Sequence, residues 1–442
     1  MNLALHPRII AALLGFVAFL PASVDAGMTL REVKAFEGFK AKAEQENAAA
    51  QSELGQCYEY GQGVAKDEVE AVRWYRKAAE KGYGPAQLSL ALCYDEGKGV
   101  PKNSVEAVRW YREAANQGNP VAQNNLGLCY DNGQGVPIVP VEAVKWYRKA
   151  AEQGLASAQF NLGKSYDDGS GVAENKSLAV SWYRKAAEQG DPAAQFNLGI
   201  CYDEGKGVPE DRVEAVRWYR KAAEQGLASA QCALGFSYDA GSGVAESKSL
   251  AVSWYRKAAE QGDPAAQFNL GNCYINGLGV PKDEIQAVKW FCKAAEQGDS
   301  EAQFNLGTCY DKGQGVAKDA VQAARWYRKA AEQGVAQAQF NLGLCYDHGH
   351  GVAKDEVEAM NWFRKASALG YAPAQYNLGL CYVRGVVVEK NEIEAYAYWN
   401  ISATTFELAR ESLAQMEKKM TPSARLLGQQ RTREILKSIE GR

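Results

Sequence analysis

Histidine is almost missing from this chain: three occur in 442 residues, at positions 6, 348 and 350. A Ser-His or Cys-His catalytic dyad would therefore have to be built on His348 or His350 in one loop, and nothing else near them supports one. A metal site needs more ligands than that pair supplies, and neither a metal nor a cofactor is expected. An excess of either charge is also lacking, with 50 basic residues against 53 acidic ones and a formal net charge of −3. No basic field points to nucleic acid or to anionic lipid. Long apolar runs are lacking too. The longest is residues 9–20, which is too short to span a bilayer comfortably.

That run follows Arg8 and precedes Val24-Asp25-Ala26, which has acceptable residues at −3 and −1 for cleavage before Gly27. Residues 1–26 therefore read as a secretory signal, and the product is expected in the periplasm or medium, or in the ER lumen of a eukaryote. An oxidising address raises the question of the ten cysteines. Eight hold one repeat position on one kind of helix, from Cys57 to Cys381, with Ser165 and Ser237 in the gaps. Equivalent helices of adjacent repeats lie roughly 8–10 Å apart, whereas a disulfide needs Cα atoms within about 7 Å. No disulfide framework is expected, and the thiols read as small core residues.

What the sequence has in abundance is period. Nine tryptophans recur every 36 residues from Trp74 to Trp362, ten tyrosines keep the step from Tyr58 to Tyr382, and a glycine keeps it from Gly82 to Gly370. A fixed period of this size indicates a helix-pair solenoid, which presents one long surface rather than one pocket. Within residues 191–226, Asp191-Pro192 opens helix A as N-cap and first helical residue. Ala194, Leu198 and Tyr202 form its inward stripe. Gly205 and Gly207 bound a loop that needs positive φ. Asp211 with Glu214 reads as a capping box for helix B, whose Trp218 and Tyr219 face the core, and Gly226 ends it. A second order of repetition carries residues 146–199 into 218–271, a shift of two repeats.

The pattern Leu-Gly-x-Cys-Tyr-x-x-Gly-x-Gly-Val, an Asp cap, then Ala-Val-x-Trp-Tyr-Arg-Lys-Ala-Ala-Glu-Gln-Gly resembles the Sel-1-like repeat family, relatives of tetratricopeptide repeats. The resemblance implies an all-α, right-handed superhelical solenoid that scaffolds other proteins. It covers residues 48–403 as ten repeats, between a lead-in helix in 27–47 and capping helices in 404–442. Some exported members staple helix A to helix B with a disulfide; here the recurrent cysteines lie on helix A alone.

With Leu198 at the core, Phe196, Ile200 and Asp203 fall on the opposite side of helix A. In the related tetratricopeptide repeat such positions line a concave groove. An aromatic column then runs through Phe160, Phe196, Phe268, Phe304, Phe340 and Tyr376, interrupted by Cys232. A varying column contains Lys164, Ile200, Phe236, Asn272, Thr308 and Leu344, and a third is largely acidic. Aromatic anchors beside a varying strip suit an exported protein or peptide. The alternative for the phenylalanines and aspartates is packing and loop bonding, and for the Asn125-to-Asn377 ladder a bond to the adjacent turn. The expected function is a non-catalytic interaction scaffold. Rival expectations are a cell-wall or glycan-associated factor, or weak hydrolase, and an architectural spacer in an envelope or secretion complex. Residues 175–177 and 400–402 match glycosylation acceptors, relevant only in a eukaryotic secretory pathway.

Overall fold

The computed structural model describes residues 29–440, so the signal assigned to residues 1–26 lies outside the described residues. The described residues form 23 α-helices and no strand. The chain divides into two compact units, Met1–Ala194 and Gln195–Arg442.

In the first unit, α1 (Leu30–Glu44) leads into alternating A and B helices. They are α2 (Ala48–Tyr60) and α3 (Glu68–Glu80), α4 (Gly84–Glu96) and α5 (Ser104–Asn116), α6 (Pro120–Asn132) and α7 (Pro140–Glu152), and α8 (Ala156–Asp168) and α9 (Lys176–Glu188). Helix α10 (Pro192–Glu204) straddles the division. The second unit continues with α11 (Arg212–Glu224), α12 (Ala228–Ala240), α13 (Lys248–Glu260), α14 (Pro264–Asn276), α15 (Glu284–Glu296), α16 (Ser300–Lys312) and α17 (Ala320–Glu332). It ends with α18 (Ala336–His348), α19 (Glu356–Ala368), α20 (Ala372–Arg384), α21 (Glu392–Ser402), α22 (Glu407–Glu417) and α23 (Pro422–Glu440). Helices α9 and α13 carry the same thirteen residues, Lys-Ser-Leu-Ala-Val-Ser-Trp-Tyr-Arg-Lys-Ala-Ala-Glu.

Local chemistry sets the helix ends. Helix α11 starts because the Asp211 carboxylate accepts from the Glu214 amide at 3.0 Å. The reciprocal half of the expected box is not made on these B helices. Glu214 instead pairs forward with Arg217 at 3.0 Å, and Glu70 with Arg73, because an arginine one turn on competes for the carboxylate. The complete capping box is on α1, between Thr29 and Glu32.

The tyrosine or phenylalanine that follows each tryptophan from Trp74 to Trp362 is the more deeply buried of the two. Tyr75, Tyr111, Tyr147, Tyr183 and Tyr255 are almost fully enclosed. Trp74, Trp146, Trp182 and Trp254 stay partly open, and each has a lysine ammonium from the next turn about 4 Å from its ring. The helix A glycine admits the buried ring: a Cβ on Gly199 would lie 2.6 Å from Tyr219. In the inter-helix loop, Gly99 (φ +65°) brings backbone against backbone, and a Cβ there would sit 2.0 Å from the Glu68 carbonyl oxygen of the preceding repeat.

At the first end, Phe36 and Phe39 of α1 cover Ala50 and Leu54, and Phe36 meets Tyr58 edge-on at 5.5 Å. At the last, α23 closes over α21 through Ile435 against Ala397 and Ile401, with Arg431 on Glu394 at 2.7 Å. No helix among the described residues is long and apolar enough to cross a membrane.

Candidate interaction surface

The aromatic column on the A helices is half-buried, because each ring folds onto the buried ring of its own helix B. Phe160 faces Tyr183 at 5.9 Å, Phe196 faces Tyr219 at 5.8 Å, and Phe268 faces Phe291 at 6.2 Å. Phe304 with Tyr327, Phe340 with Phe363 and Tyr376 with Trp399 repeat this at 6.0, 5.8 and 6.0 Å. These are attractive tilted or offset ring contacts, so the column packs A against B and leaves only ring edges to a partner.

The varying column is more open. Lys164 and Phe236 are exposed, Phe236 to 58%, whereas Ile200, Asn272, Thr308 and Leu344 are half-buried. Thr308 donates to the Phe304 carbonyl at 3.1 Å, and Asn272 accepts from Asn305 at 3.2 Å. A second bond of that kind runs from Asn161 to Asn124 at 2.9 Å, so the asparagines engaged in this way tie neighbouring A helices together.

The acidic column turns toward the core tyrosines. The hydroxyls of Tyr111, Tyr147 and Tyr183 donate to Asp95, Asp131 and Asp167 at 3.3, 3.5 and 3.4 Å. Burial first, and the neighbouring carboxylate second, push the Tyr111 and Tyr147 hydroxyls well above the usual phenol range. Lys176 and Lys248 hold Asp167 and Asp239 at 3.1 and 3.0 Å. His348 bonds the Leu344 carbonyl at 2.9 Å, and His350 lies 3.6 Å from Asp311. Among the described residues no group of three or more His, Cys, Asp or Glu side chains is placed to hold a metal ion.

All ten cysteines are free thiols. Burial pushes Cys93 up to about 12 and Cys129, Cys273, Cys309 and Cys345 up to about 11.

One structural ladder escaped the sequence reading. A glutamine near the start of each helix A is buried, and in Gln87, Gln123, Gln159, Gln231, Gln267 and Gln303 the amide is bonded at both ends. Gln267 donates to the Ala259 carbonyl at 3.1 Å and accepts from Gln297 at 2.8 Å, so one amide joins successive B helices through the A helix between them. The same pair recurs as Gln87 with Gln117, Gln123 with Gln153, Gln159 with Gln189, Gln231 with Gln261 and Gln303 with Gln333, each at 2.8 Å. The 36-residue recurrence of both glutamines was its available signal.

A profile of the Sel1 repeat matches ten consecutive segments, 48–83 through 372–404. Among solved structures, the chain is 38% identical to a protective antigen present in uropathogenic Escherichia coli strains, which displays an SLR fold. That likeness covers 91% of this chain and 95% of the other, with a TM-score of 0.63. A Sel1 repeat protein from Oxalobacter formigenes is 35% identical over 70% of this chain and 89% of its own, with a TM-score of 0.54. No curated protein matches the chain. The repeat matches, spanning nearly all the described residues, place the chain in the Sel1 repeat family.

Proposed function

We propose that this protein is a non-catalytic scaffold that binds a peptide or protein partner along its A helices. One observation carries the reading. At a position that is exposed or half-buried, side-chain chemistry changes from repeat to repeat, through Lys164, Ile200, Phe236, Asn272, Thr308 and Leu344. Two residues away, Leu162, Leu198, Leu234, Leu270, Leu306 and Leu342 are fully buried leucines without exception. Packing alone fixes a residue type, as it does at the leucines. A graded series on one face suits recognition of an extended, non-repetitive partner. The aromatic edges beside it add apolar contact, and the bonded aspartates supply a negative margin.

The signal assigned to residues 1–26 directs this activity to an exported partner. The description of the E. coli relative as a protective antigen supports a product displayed outside the cytoplasm.

The test is site-specific photocrosslinking. A benzophenone amino acid at 200 or 344 should trap a discrete partner from the exported fraction, and Ile200→Glu with Phe236→Glu should abolish it. The same crosslinker at Arg217, exposed on helix B, should trap nothing specific. Equal trapping from Arg217, or an unchanged product in the double variant, would move the site off the A helices.

A further inference from the structure

Helix α12 breaks the ring column. At position 232, where the neighbouring repeats place a phenylalanine against the helix B ring, it has the thiol of Cys232, and Ala233 stands where α8, α10 and α14 have asparagine. The nearest aromatic residue on α12 is one turn later, at Phe236, which points into solvent. Between α12, the end of α10 and the start of α14 lies a cleft of about 350 Å³, lined among others by Asp203, Cys232, Ala233, Phe236, Asp263 and Asn269. The lining includes two carboxylates and no lysine or arginine.

Comparison within the chain shows where this cleft arose. Residues 146–199 and 218–271 differ at five positions: Phe160/Cys232, Asn161/Ala233, Lys164/Phe236, Asp168/Ala240 and Asn175/Ser247. Three of the five line the cleft. In one copy the chain has its own Phe160, tilted against Tyr183 at 5.9 Å, and presents an exposed Lys164. In the other copy the ring and the cation are both gone, and the side chains in their place, Cys232 and Phe236, line the cleft together with Tyr219 of the preceding repeat.

We infer that the α12 cleft binds an aromatic side chain flanked by basic residues, on a peptide segment of the partner. The ring enters beside Cys232 and Ala233 and stacks on Phe236, and a flanking guanidinium or ammonium meets Asp203 and Asp263. This rests on the scaffold reading and gives that face its central anchor.

The probe is acetyl-Arg-(4-fluoro-Phe)-Arg-amide, titrated into the full chain and followed by ¹⁹F NMR. Controls are the Glu-flanked peptide and the variant C232F/A233N/F236K, which gives α12 the side chains that α8 carries at these three positions. Saturable binding is expected, weakened about tenfold or more by either change. Asp203→Asn with Asp263→Asn should erase the preference for Arg over Glu flanks without changing the fold, since Asn also caps α14. Binding unchanged in the triple variant, equal binding of the Glu-flanked peptide, or no saturation at about 10 mM overturns the inference. Crosslinking from position 200 distinguishes the two failures. If the triple variant still traps the partner there, the scaffold stands and this cleft is not its anchor; if the unmodified chain traps none, the scaffold reading itself fails.

Discussion

A buried glutamine amide such as that of Gln267 spends its hydrogen and its oxygen on different repeats, so losing it breaks two bonds. Gln267→Met keeps the bulk but leaves the Gln297 amide and the Ala259 carbonyl without that partner. A loss of about 1–3 kcal/mol is expected by urea denaturation. The ladder also shows where it is incomplete. Gln51 and Gln339 keep a buried Oε1 with no hydrogen-bond partner, and the residues thirty positions on, which are glutamine for Gln87 through Gln303, are Lys81 and Leu369. Leu369→Gln should therefore stabilise the protein by about 1 kcal/mol; a lower melting temperature would show that the second amide does not reach Gln339. This ladder was hard to read in sequence because apolar periodicity scores glutamine as a surface residue. It is buried only because its amide has partners from two other helices. The aromatic column fooled the helical wheel in the opposite sense. A wheel drawn for one helix puts Phe196 on an outer face, and only helix B shows that Tyr219 receives it. The tryptophan period, the Asp caps and the glycine stops were legible because each is decided within a few residues of its own position.

At the scale of the element, loops clamp one repeat to the next through a glycine with no room for a side chain. Gly99→Ala adds a Cβ against the Glu68 carbonyl and forces a left-handed φ on alanine. It should cost more than about 2 kcal/mol and uncouple the first repeats, seen as a separate early transition. The last loop breaks this rule in the native chain. Val387, 36 residues after Gly351, holds φ +69° with a branched side chain. Beside it opens a cleft of about 240 Å³ lined by Leu344, Asp347, Glu356, Cys381 and Arg384. Cys381 is half-buried, whereas the other helix A thiols at this repeat position are buried. Val387→Gly removes the strain and lets the loop close. The protein should gain about 1–2 kcal/mol, and alkylation of Cys381 should slow. Faster alkylation would mean that the valine packs the loop down rather than propping it open.

For the whole molecule, the many buried acids of high pKa set an alkaline limit. A thiol such as Cys273, held near 11 when folded, titrates near its ordinary value of 9 once unfolded. Between those values the folded state holds more protons than the unfolded one, so stability falls as pH rises and the contribution is complete below about 9. The core tyrosines add the same sign starting from their ordinary value of 10. The urea midpoint should be flat from pH 7 to 8.5 and drop through pH 9–11, with a shallower drop in Cys273→Ala. A midpoint that rises over that range would contradict the buried-acid account. The two units offer a further reason to follow the transition with several probes, since separate units need not unfold together.

The identity of α9 and α13 also bears on inheritance. Where the codons match as the residues do, two stretches so alike, 72 residues apart, are a substrate on which recombination gains or loses segments. A crossover there adds or deletes two complete repeats, and every new junction is one that the parent chain already makes. The length of this protein can thus change in a single genetic event without inventing an interface. The side chains that distinguish the copies, Cys232, Ala233 and Phe236 among them, decide whether such an event duplicates a recognition site or erases it.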